Sequence, residues 1–324
     1  MKKLFYPLIM GMLFLVTSTA FAQSGWPNQW DWPDTDFTKH SGLSSEFSAG
    51  GPPKDGIPAI DNPQFKSASH VHYRPKEPVI ALEVNGTVKA YPLSVLMWHE
   101  IANDVIAGVP VAVTFCPLCN AAIVYERTID GVKTSFGVSG LLRNSDLVMY
   151  DRTTQSWWQQ FTGRAIVGAH TGKTLTRLPA KIIPFSHFKA RYPNADVLVP
   201  NDPKARRYGQ NPYVSYDTTG EPFNVHVKMP KGFKRMERIV VVGDTAWRMT
   251  KIAKAGRIEE NGLRLIWTHG QTSALGARTI GQGRDIGSVR VERQDTNGQW
   301  QLVNYDVTFA FVFAAFKPNG KWRG

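Results

Sequence analysis

Alternating apolar and polar positions along this chain predict a protein built mainly from β-strands. The segment "PVIALEVNGTVKAYP" contains two β-rich runs on either side of Asn85-Gly86, a dipeptide that strongly favours a hairpin. The runs "VAVTF" and "AIVYER" predict two further strands, and Asp130-Gly131 predicts a second hairpin. The strands "LVMYDR" and "SWWQQFTGRAIVG" follow. Residues 78–168 are therefore predicted to be mainly antiparallel β.

One segment of this region has helical spacing instead. In "PLSVLMWHEIANDVI", Pro92 suits a first helical turn, and apolar residues at 93, 97, 98, 101 and 105 recur on one helix face. His99 and Asn103 lie four positions apart, so a helix would present them together on the opposite side. The sequence therefore predicts one helix packed on the first β region.

A second β region, beginning at "ERIVVVGDTAWRMTKIA", is interpreted as a degenerate copy of the first. The segment "ALEVNGTVKAYPLSVL" corresponds to "IVVVGDTAWRMTKIA", "GVPVAVTF" to "NGLRLIWT", and "LVMYDRTTQSWW" to "FAFVFAAFKPNGKW". The copies differ where the first has "FCPLCNAA" and the second has "THGQTSAL". The predicted fold class is mainly β with minor α, formed by two related antiparallel β modules of which the first carries a packed helix.

The chain divides into five predicted segments. Residues 1–22 have two lysines, an apolar run and Ala-Phe-Ala before Gln23, which is the layout of a cleavable signal peptide. An irregular segment (23–60), the first β module (61–183), a connector (184–235) and the second β module (236–324) follow. The signal predicts a periplasmic or secreted protein, cleaved near Ala22-Gln23. No later apolar run is long enough to span a bilayer, so no membrane span is expected after cleavage.

The charge of the chain is strongly basic. Its formal net charge is +12, and much of the excess lies in "KARRYG" at 204–209 and "KGFKRMER" at 231–238. Such a charge favours an anionic surface or a small anionic ligand through long-range attraction. Nucleic acid is not expected as a partner of an exported protein.

Both cysteines of the chain lie in "VTFCPLCNAAIVYER". A predicted strand enters the stretch from Cys116 to Cys119 and another leaves it, as in zinc-ribbon knuckles, whereas a thioredoxin-like motif continues into a helix. A tetrahedral site needs further ligands, and His99 and then Met149 are the candidates. Two thiolates with these groups would suit copper or zinc. Three uses of the pair stay open: a metal site, a redox-active disulfide and a structural disulfide.

Other polar residues are candidates for catalysis or ligand binding. Glu100, beside His99, and Asp146 are the candidate proton acceptors of an enzyme. A polar loop and the strand after it would line a cleft, in which an arginine would recognise a carboxylate or a phosphate. Such a cleft would also serve a non-enzymatic binding module with a purely structural cysteine pair. The candidate ligand-binding residues are Ser139, Arg143, Asn144, Ser145, Trp158 and Gln160.

Several of these motifs resemble those of the bacterial and archaeal family known as domain of unknown function 3179. The resemblance rests on the pair His99-Glu100, on Cys-Pro-Leu-Cys, on Ser-Gly-Leu-Leu, and on Met-Tyr-Asp-Arg followed by Trp and Gln. It covers roughly residues 55–220 and implies no particular activity. Asn120 stands where the family usually has Gly after the second cysteine. Since Asn tolerates a left-handed backbone better than most residues, the turn is expected to survive.

Overall fold

The computed structural model describes residues 25–225 and 227–324 and confirms the mainly β fold class. The predicted signal peptide lies outside the described residues. The helices are α1 (Leu93–Leu96), α2 (Phe185–Arg191), α3 (Met249–Ala255) and α4 (Ala310–Phe316). The strands are β1 (Phe47–Ala49), β2 (Gln64–Ser67), β3 (Pro78–Val84), β4 (Thr87–Pro92), β5 (Ile101–Ile106), β6 (Val109–Cys116), β7 (Ala121–Glu126), β8 (Thr128–Ile129), β9 (Val132–Lys133), β10 (Phe136–Arg143), β11 (Asp146–Asp151), β12 (Trp157–Gln159), β13 (Ala165–Val167), β14 (Arg177–Leu178), β15 (Ala180–Pro184), β16 (Asp196–Val199), β17 (Arg238–Val242), β18 (Thr245–Arg248), β19 (Arg257–Glu260), β20 (Leu263–Thr268), β21 (Ser288–Gln294), β22 (Trp300–Leu302), β23 (Asp306–Phe309) and β24 (Lys321–Arg323).

These strands form five small, mostly antiparallel sheets arranged in a ring that resembles a propeller. Sheet I has the strand order β15-β3-β4-β16-β2 and sheet II the order β14-β7-β6-β5. Sheet III has the order β1-β10-β11-β12-β13. Sheet IV has the order β23-β17-β18-β24 and sheet V the order β19-β20-β21-β22, while β8 and β9 form a separate hairpin.

Sheets IV and V repeat sheets I and II. In sheet I, β3 pairs antiparallel with β4 and β15, and β4 pairs parallel with β16. In sheet IV, β17 pairs in the same way with β18 and β23, and β18 pairs parallel with β24. Helices follow β4 and β15 in the first half, and β18 and β23 in the second. The topology therefore confirms two related β modules.

The repeat extends to individual hydrogen bonds. The N–H of Phe185 donates to the carbonyl of Glu77 at 2.8 Å, and the N–H of Ala310 donates to the carbonyl of Glu237 at 2.8 Å. The segment "FAFVFAAFKPNGKW" therefore corresponds to "PFSHFKARYPNADV", and its predicted match to "LVMYDRTTQSWW" is wrong. Both predicted partners end in tryptophan, but one forms a strand, a turn and a strand, whereas the other contains a helix. Residues 185–199, expected in the connector, form helix α2, which packs on sheet I, and strand β16, which belongs to that sheet.

The two halves pack against each other through two equivalent strand contacts. Strand β23 packs against β7, and β15 packs against β21. The repeat relates β23 to β15 and β7 to β21, so the two contacts are equivalent. One of them brings the second half against the strand that leaves Cys119.

The predicted helix over residues 92–105 is wrong beyond its first turn. Helix α1 ends at Leu96, and Ile101–Ile106 forms β5, which pairs antiparallel with β6. Glu100, with a φ of +57°, turns the chain between them. The β-branched residues of β5 favour a strand, and pairing with β6 satisfies its backbone groups. His99 and Asn103 therefore do not share a helix face.

Both predicted hairpin turns are present. Asn85-Gly86 joins β3 to β4 and Asp130-Gly131 joins β8 to β9, and all four residues have the positive φ that such tight turns require. Each helix in the described ranges falls short of the length and apolarity needed to cross a bilayer.

Sheet III is an insertion between β7 and β14 that the second half lacks, because β21 and β22 are joined there by residues 295–299 alone. The N-terminal irregular segment wraps this sheet. Trp26 and Trp32 are buried against Trp157 of β12, with ring centroids 5.8 and 5.3 Å from it. Strand β1 extends the sheet by pairing with β10. The segment thus completes the core of sheet III.

Candidate metal centre

The turn between β6 and β7 carries both cysteines. Cys116 ends β6 and pairs with Ala121 of β7, and the N–H of Asn120 donates to the carbonyl of Pro117 at 3.1 Å. Asn120 has a φ of +51°, so it adopts the left-handed conformation that its predicted role requires. Both cysteines are free and buried. The predicted arrangement of strand, knuckle and strand is confirmed.

A second turn delivers Asp146 to the thiols. Asn144 and Ser145, with φ of +50° and +63°, join β10 to β11 in a two-residue hairpin turn. The carbonyl of Ser145 lies 3.4 Å from the Sγ of Cys119 and 3.9 Å from that of Cys116. One ligand atom from each of Cys116, Cys119 and Asp146 lies within 4.8 Å of the other two. Sheets II and III thus meet in a cluster of two thiols and one carboxyl group, which we call the Cys–Asp cluster.

The carboxyl group of Asp146 is fully buried but only partly satisfied. Its Oδ2 accepts hydrogen bonds from Nε2 of Gln159 at 2.6 Å and from the N–H of Phe161 at 2.8 Å. Its Oδ1 is buried without a hydrogen-bond partner among the described residues. Burial raises the pKa of Asp146 to about 6, against the opposing effect of these hydrogen bonds and of the neighbouring Cys119 and Cys116 thiols. A buried carboxylate oxygen without a partner costs free energy unless a proton or a cation compensates it.

Burial also raises the pKa of both thiols. The effect is strongest at Cys119, whose pKa lies well above its usual value, and the nearby carboxyl group of Asp146 adds to it. Thiols that attack disulfides have lowered pKa values and partial exposure, so this pair has the opposite character. Coordination to a metal ion would reverse the shift, because a coordinated thiol is deprotonated.

Glu100 and two tyrosines interact electrostatically with the Cys–Asp cluster. Burial, followed by the charge of Asp146, raises the pKa of Glu100 to about 8. Burial raises the pKa of Tyr213 and that of Tyr216, the latter to about 12, and the cysteines contribute at both. Sequence reasoning missed the tyrosines, since they come from the predicted connector and share no motif spacing with the cysteines. Frequent tyrosines in that connector were the one available signal.

The structure does not bring His99 into the Cys–Asp cluster. Its Nδ1 lies 2.7 Å from the carbonyl oxygen of Pro58, and its Nε2 lies 2.7 Å from the hydroxyl of Tyr208, on which its ring stacks. Met149 is fully buried in the main hydrophobic core. Asp146, expected as a proton acceptor, instead lies with the two cysteines.

Three of the residues predicted to bind a ligand lie buried within the fold. The hydroxyl of Ser139 donates to a carbonyl of β11 beside an irregularity in the pairing of β10. Trp158 donates from Nε1 to Asp151 at 2.9 Å. Gln160 donates from Nε2 to the hydroxyl of Thr114 at 2.8 Å. The first two contacts lie within sheet III, and the third joins Gln160 to sheet II.

Arg143 contacts Glu46 and Gln159. Its Nε donates to the carboxylate of Glu46 at 2.9 Å, and its Nη1 lies 3.4 Å from Oε1 of Gln159. Since Gln159 also donates to Asp146, one side chain links Arg143 to the Cys–Asp cluster.

The second half anchors the cysteine turn without adding a thiol. The carbonyl of Cys119 accepts hydrogen bonds from the hydroxyl of Thr308 at 2.8 Å and from the N–H of Phe309 at 3.2 Å. Both donors belong to β23. The corresponding turn of the second half, between β20 and β21, spans residues 269–287 and contains no cysteine.

Comparison with known proteins supports the resemblance seen in the motifs. The model of the family described as "Protein of unknown function (DUF3179)" matches residues 54–320. This match includes both halves of the fold, whereas the motifs alone covered roughly residues 55–220. No curated protein and no solved structure matches the chain. The chain belongs to the DUF3179 family.

Proposed function

We propose that this protein binds a transition metal ion through Cys116, Cys119 and Asp146. One observation carries the proposal: the buried, unpartnered Oδ1 of Asp146 lies next to two free, buried thiols. Three ionisable groups in one buried place are costly when charged and unpaired. A bound cation compensates all three at once, which makes metal binding and folding mutually stabilising.

The donor set favours zinc over copper. Zinc accepts sulfur and oxygen donors together, and catalytic zinc sites combine three protein ligands with one open position. Copper(I) prefers thiolate and thioether donors. Asp146 supplies a hard oxygen donor in the place expected for His99 or Met149, and this shifts the preference towards zinc.

Glu100 is the residue we assign to proton transfer beside this ion. Its raised pKa keeps the carboxyl group protonated at neutral pH in the absence of a cation. A nearby divalent cation lowers the pKa of a carboxyl group, so metal binding would convert Glu100 into a proton acceptor. A role in thiol–disulfide exchange has less support, because both thiols are buried and their pKa values are raised.

The metal proposal is tested by elemental analysis of protein purified without chelators, then incubated with one equivalent of zinc and desalted. We expect one zinc ion per chain, and a loss of affinity of more than about 100-fold in Asp146→Asn, since even partners of metal ligands contribute 10–100-fold. The matched control is Asp151→Asn, which removes another buried carboxylate of the same strand. Equal zinc retention by the two variants would contradict the assignment of Asp146.

We also propose that the chain is exported, because its N-terminal residues have the order of a cleavable signal peptide. Expression of the whole chain in a Gram-negative host, followed by N-terminal sequencing of the periplasmic fraction, tests this. The expected first residue is Gln23. A chain that keeps Met1 and stays in the cytoplasm would contradict export.

A further inference from the structure

A cavity of about 680 Å³ lies between sheet III and the second half. Phe161 and Thr162 line it from the β12–β13 connection, and Asn304 and Lys317 line it from the second half. Its lining contains four cationic residues and one acid, namely Arg143, Arg164, Arg177, Lys317 and Asp306.

The acid of this cavity is already neutralised by one of the cations. The guanidinium of Arg177 contacts both carboxylate oxygens of Asp306, with one Nη1–Oδ2 distance of 3.0 Å. Their side chains are 25% and 7% exposed, so the pair is held in the wall. The other three cations therefore face the cavity without a buried counter-charge.

These three cations have at most weak competing partners. Arg143 and Lys317 pair at 2.9 and 2.7 Å with Glu46 and Asp244, whose side chains are 37% and 73% exposed. Exposed ion pairs contribute only about 0–1 kcal/mol, so a ligand can replace them at little cost. Arg164 forms no ion pair with any residue that the structure describes.

We propose that this cavity binds a small molecule through an oxyanion group, either a carboxylate or a phosphate. Guanidinium groups recognise both through paired charge-assisted hydrogen bonds. Hydroxyl groups of Thr162 and Thr174 and the amide of Asn304 supply neutral polar groups, and Phe161 and Phe316 supply apolar contact. The volume lies within the range of about 300–1,000 Å³ that is typical of small-molecule sites.

The repeat supplies an internal comparison for this cavity. A cleft of about 300 Å³ lies at the equivalent contact between β15 and β21, where Lys181 and Arg191 occupy the positions of Asp306 and Phe316. This smaller cleft is also basic, but it lacks the wall that sheet III contributes. Arg191 is therefore a matched control for Arg164: the charge is the same and the cleft is different.

The test is isothermal titration calorimetry of the purified protein with inorganic phosphate and, separately, with succinate. We expect saturable binding of at least one probe at one site, and the probe that binds names the oxyanion group. Arg164→Gln should weaken that binding about 10-fold or more, as expected for a charge-assisted contact. Arg191→Gln and Arg206→Gln should leave it unchanged, since neither residue lines the cavity.

Several results would overturn the proposal. The titrations alone give three of them: the absence of saturable binding of both probes up to about 10 mM, an equal loss in Arg206→Gln, and a loss confined to Arg191→Gln. The second result would indicate long-range charge attraction alone. Repeating the titration with the Cys116→Ser, Cys119→Ser double variant separates this cavity from a metal ion, because binding should persist there. Loss of binding in that variant would also contradict the proposal.

Discussion

The two halves of this protein share one frame, but only the first carries the Cys–Asp cluster. In the first half a short turn joins β6 to β7 and holds both thiols, whereas residues 269–287 replace that turn in the second half. Sheet III, present only in the first half, supplies Asp146. The second half contributes hydrogen bonds from β23 to the cysteine turn. Two halves of the same topology therefore differ in chemistry because of one turn, which holds the thiols, and one inserted sheet, which holds Asp146.

The largest expected effect is on bound zinc, and it distinguishes the turn between β6 and β7 from the turn between β20 and β21. Cys116→Ser with Cys119→Ser should reduce the bound zinc from one ion per chain to none, because both sulfur ligands are lost. His269→Ala, in the corresponding turn of the second half, should leave the zinc content unchanged. Elemental analysis of both variants checks this, and zinc retained by the double variant would break the comparison.

Truncation of one buried phenylalanine in each half tests whether the two halves contribute equally to stability. Phe188 of α2 and Phe313 of α4 occupy equivalent positions, and both are fully buried. Each change to Ala should lower the free energy of unfolding by about 3–5 kcal/mol, through lost burial and the cavity left behind. Denaturant unfolding measures both losses. A cost confined to one half would show that the repeated topology does not imply repeated energetics.

Equivalent glutamates should respond differently to pH. Glu77 is buried beside the hydroxyl of Ser94, and burial raises its pKa from 4.5 to about 7. Its equivalent, Glu237, pairs with Arg248 at 3.0 Å instead. Because the folded state favours protonated Glu77, its contribution to stability is full below pH 4.5 and is lost as the pH rises through about 7.

Glu77→Gln should therefore gain stability relative to the unmodified protein between these pH values, by roughly 3 kcal/mol at the upper end. Glu237→Gln should instead lose up to about 1 kcal/mol at neutral pH, because it breaks a partly exposed ion pair. Unfolding curves across this pH range test the contrast. Parallel profiles for the two variants would contradict it.

The smallest expected effect concerns the support that the second half gives to the first. Thr308→Val removes the hydroxyl that donates to the Cys119 carbonyl, while the N–H of Phe309 still donates to it. The loss of stability should be about 1 kcal/mol. Thr308→Ser keeps the donor and should restore most of it. Equal losses in the two variants would contradict the assignment of this effect to the hydrogen bond.

Local turn chemistry made part of this fold predictable from sequence. Asn85-Gly86 and Asp130-Gly131 form hairpin turns, and Asn120 takes the left-handed conformation, because these residues reach positive φ at little cost. The end of α1 at Leu96 was not predictable from the sequence. The apolar residues that follow have helical spacing, but they form β5 because it pairs with β6. Secondary structure here follows tertiary pairing where the two conflict.

The candidate site was only half predictable for a related reason. The two cysteines are close in sequence, so their shared turn followed from the pattern. Asp146 joins them only because sheets II and III meet, and no spacing encodes that contact. His99 was expected to reach the cysteines from a helix that precedes their strand. Instead, the chain turns at Glu100, and the His99 ring contacts Pro58 and Tyr208.

The most direct test of the central claim is X-ray absorption at the zinc edge of the loaded protein. The account predicts two sulfur ligands at about 2.3 Å and oxygen or nitrogen ligands at about 2.0–2.2 Å, with one of the latter lost in Asp146→Asn. A coordination shell without sulfur, or one unchanged in Asp146→Asn, would contradict the assignment of the Cys–Asp cluster as the metal site.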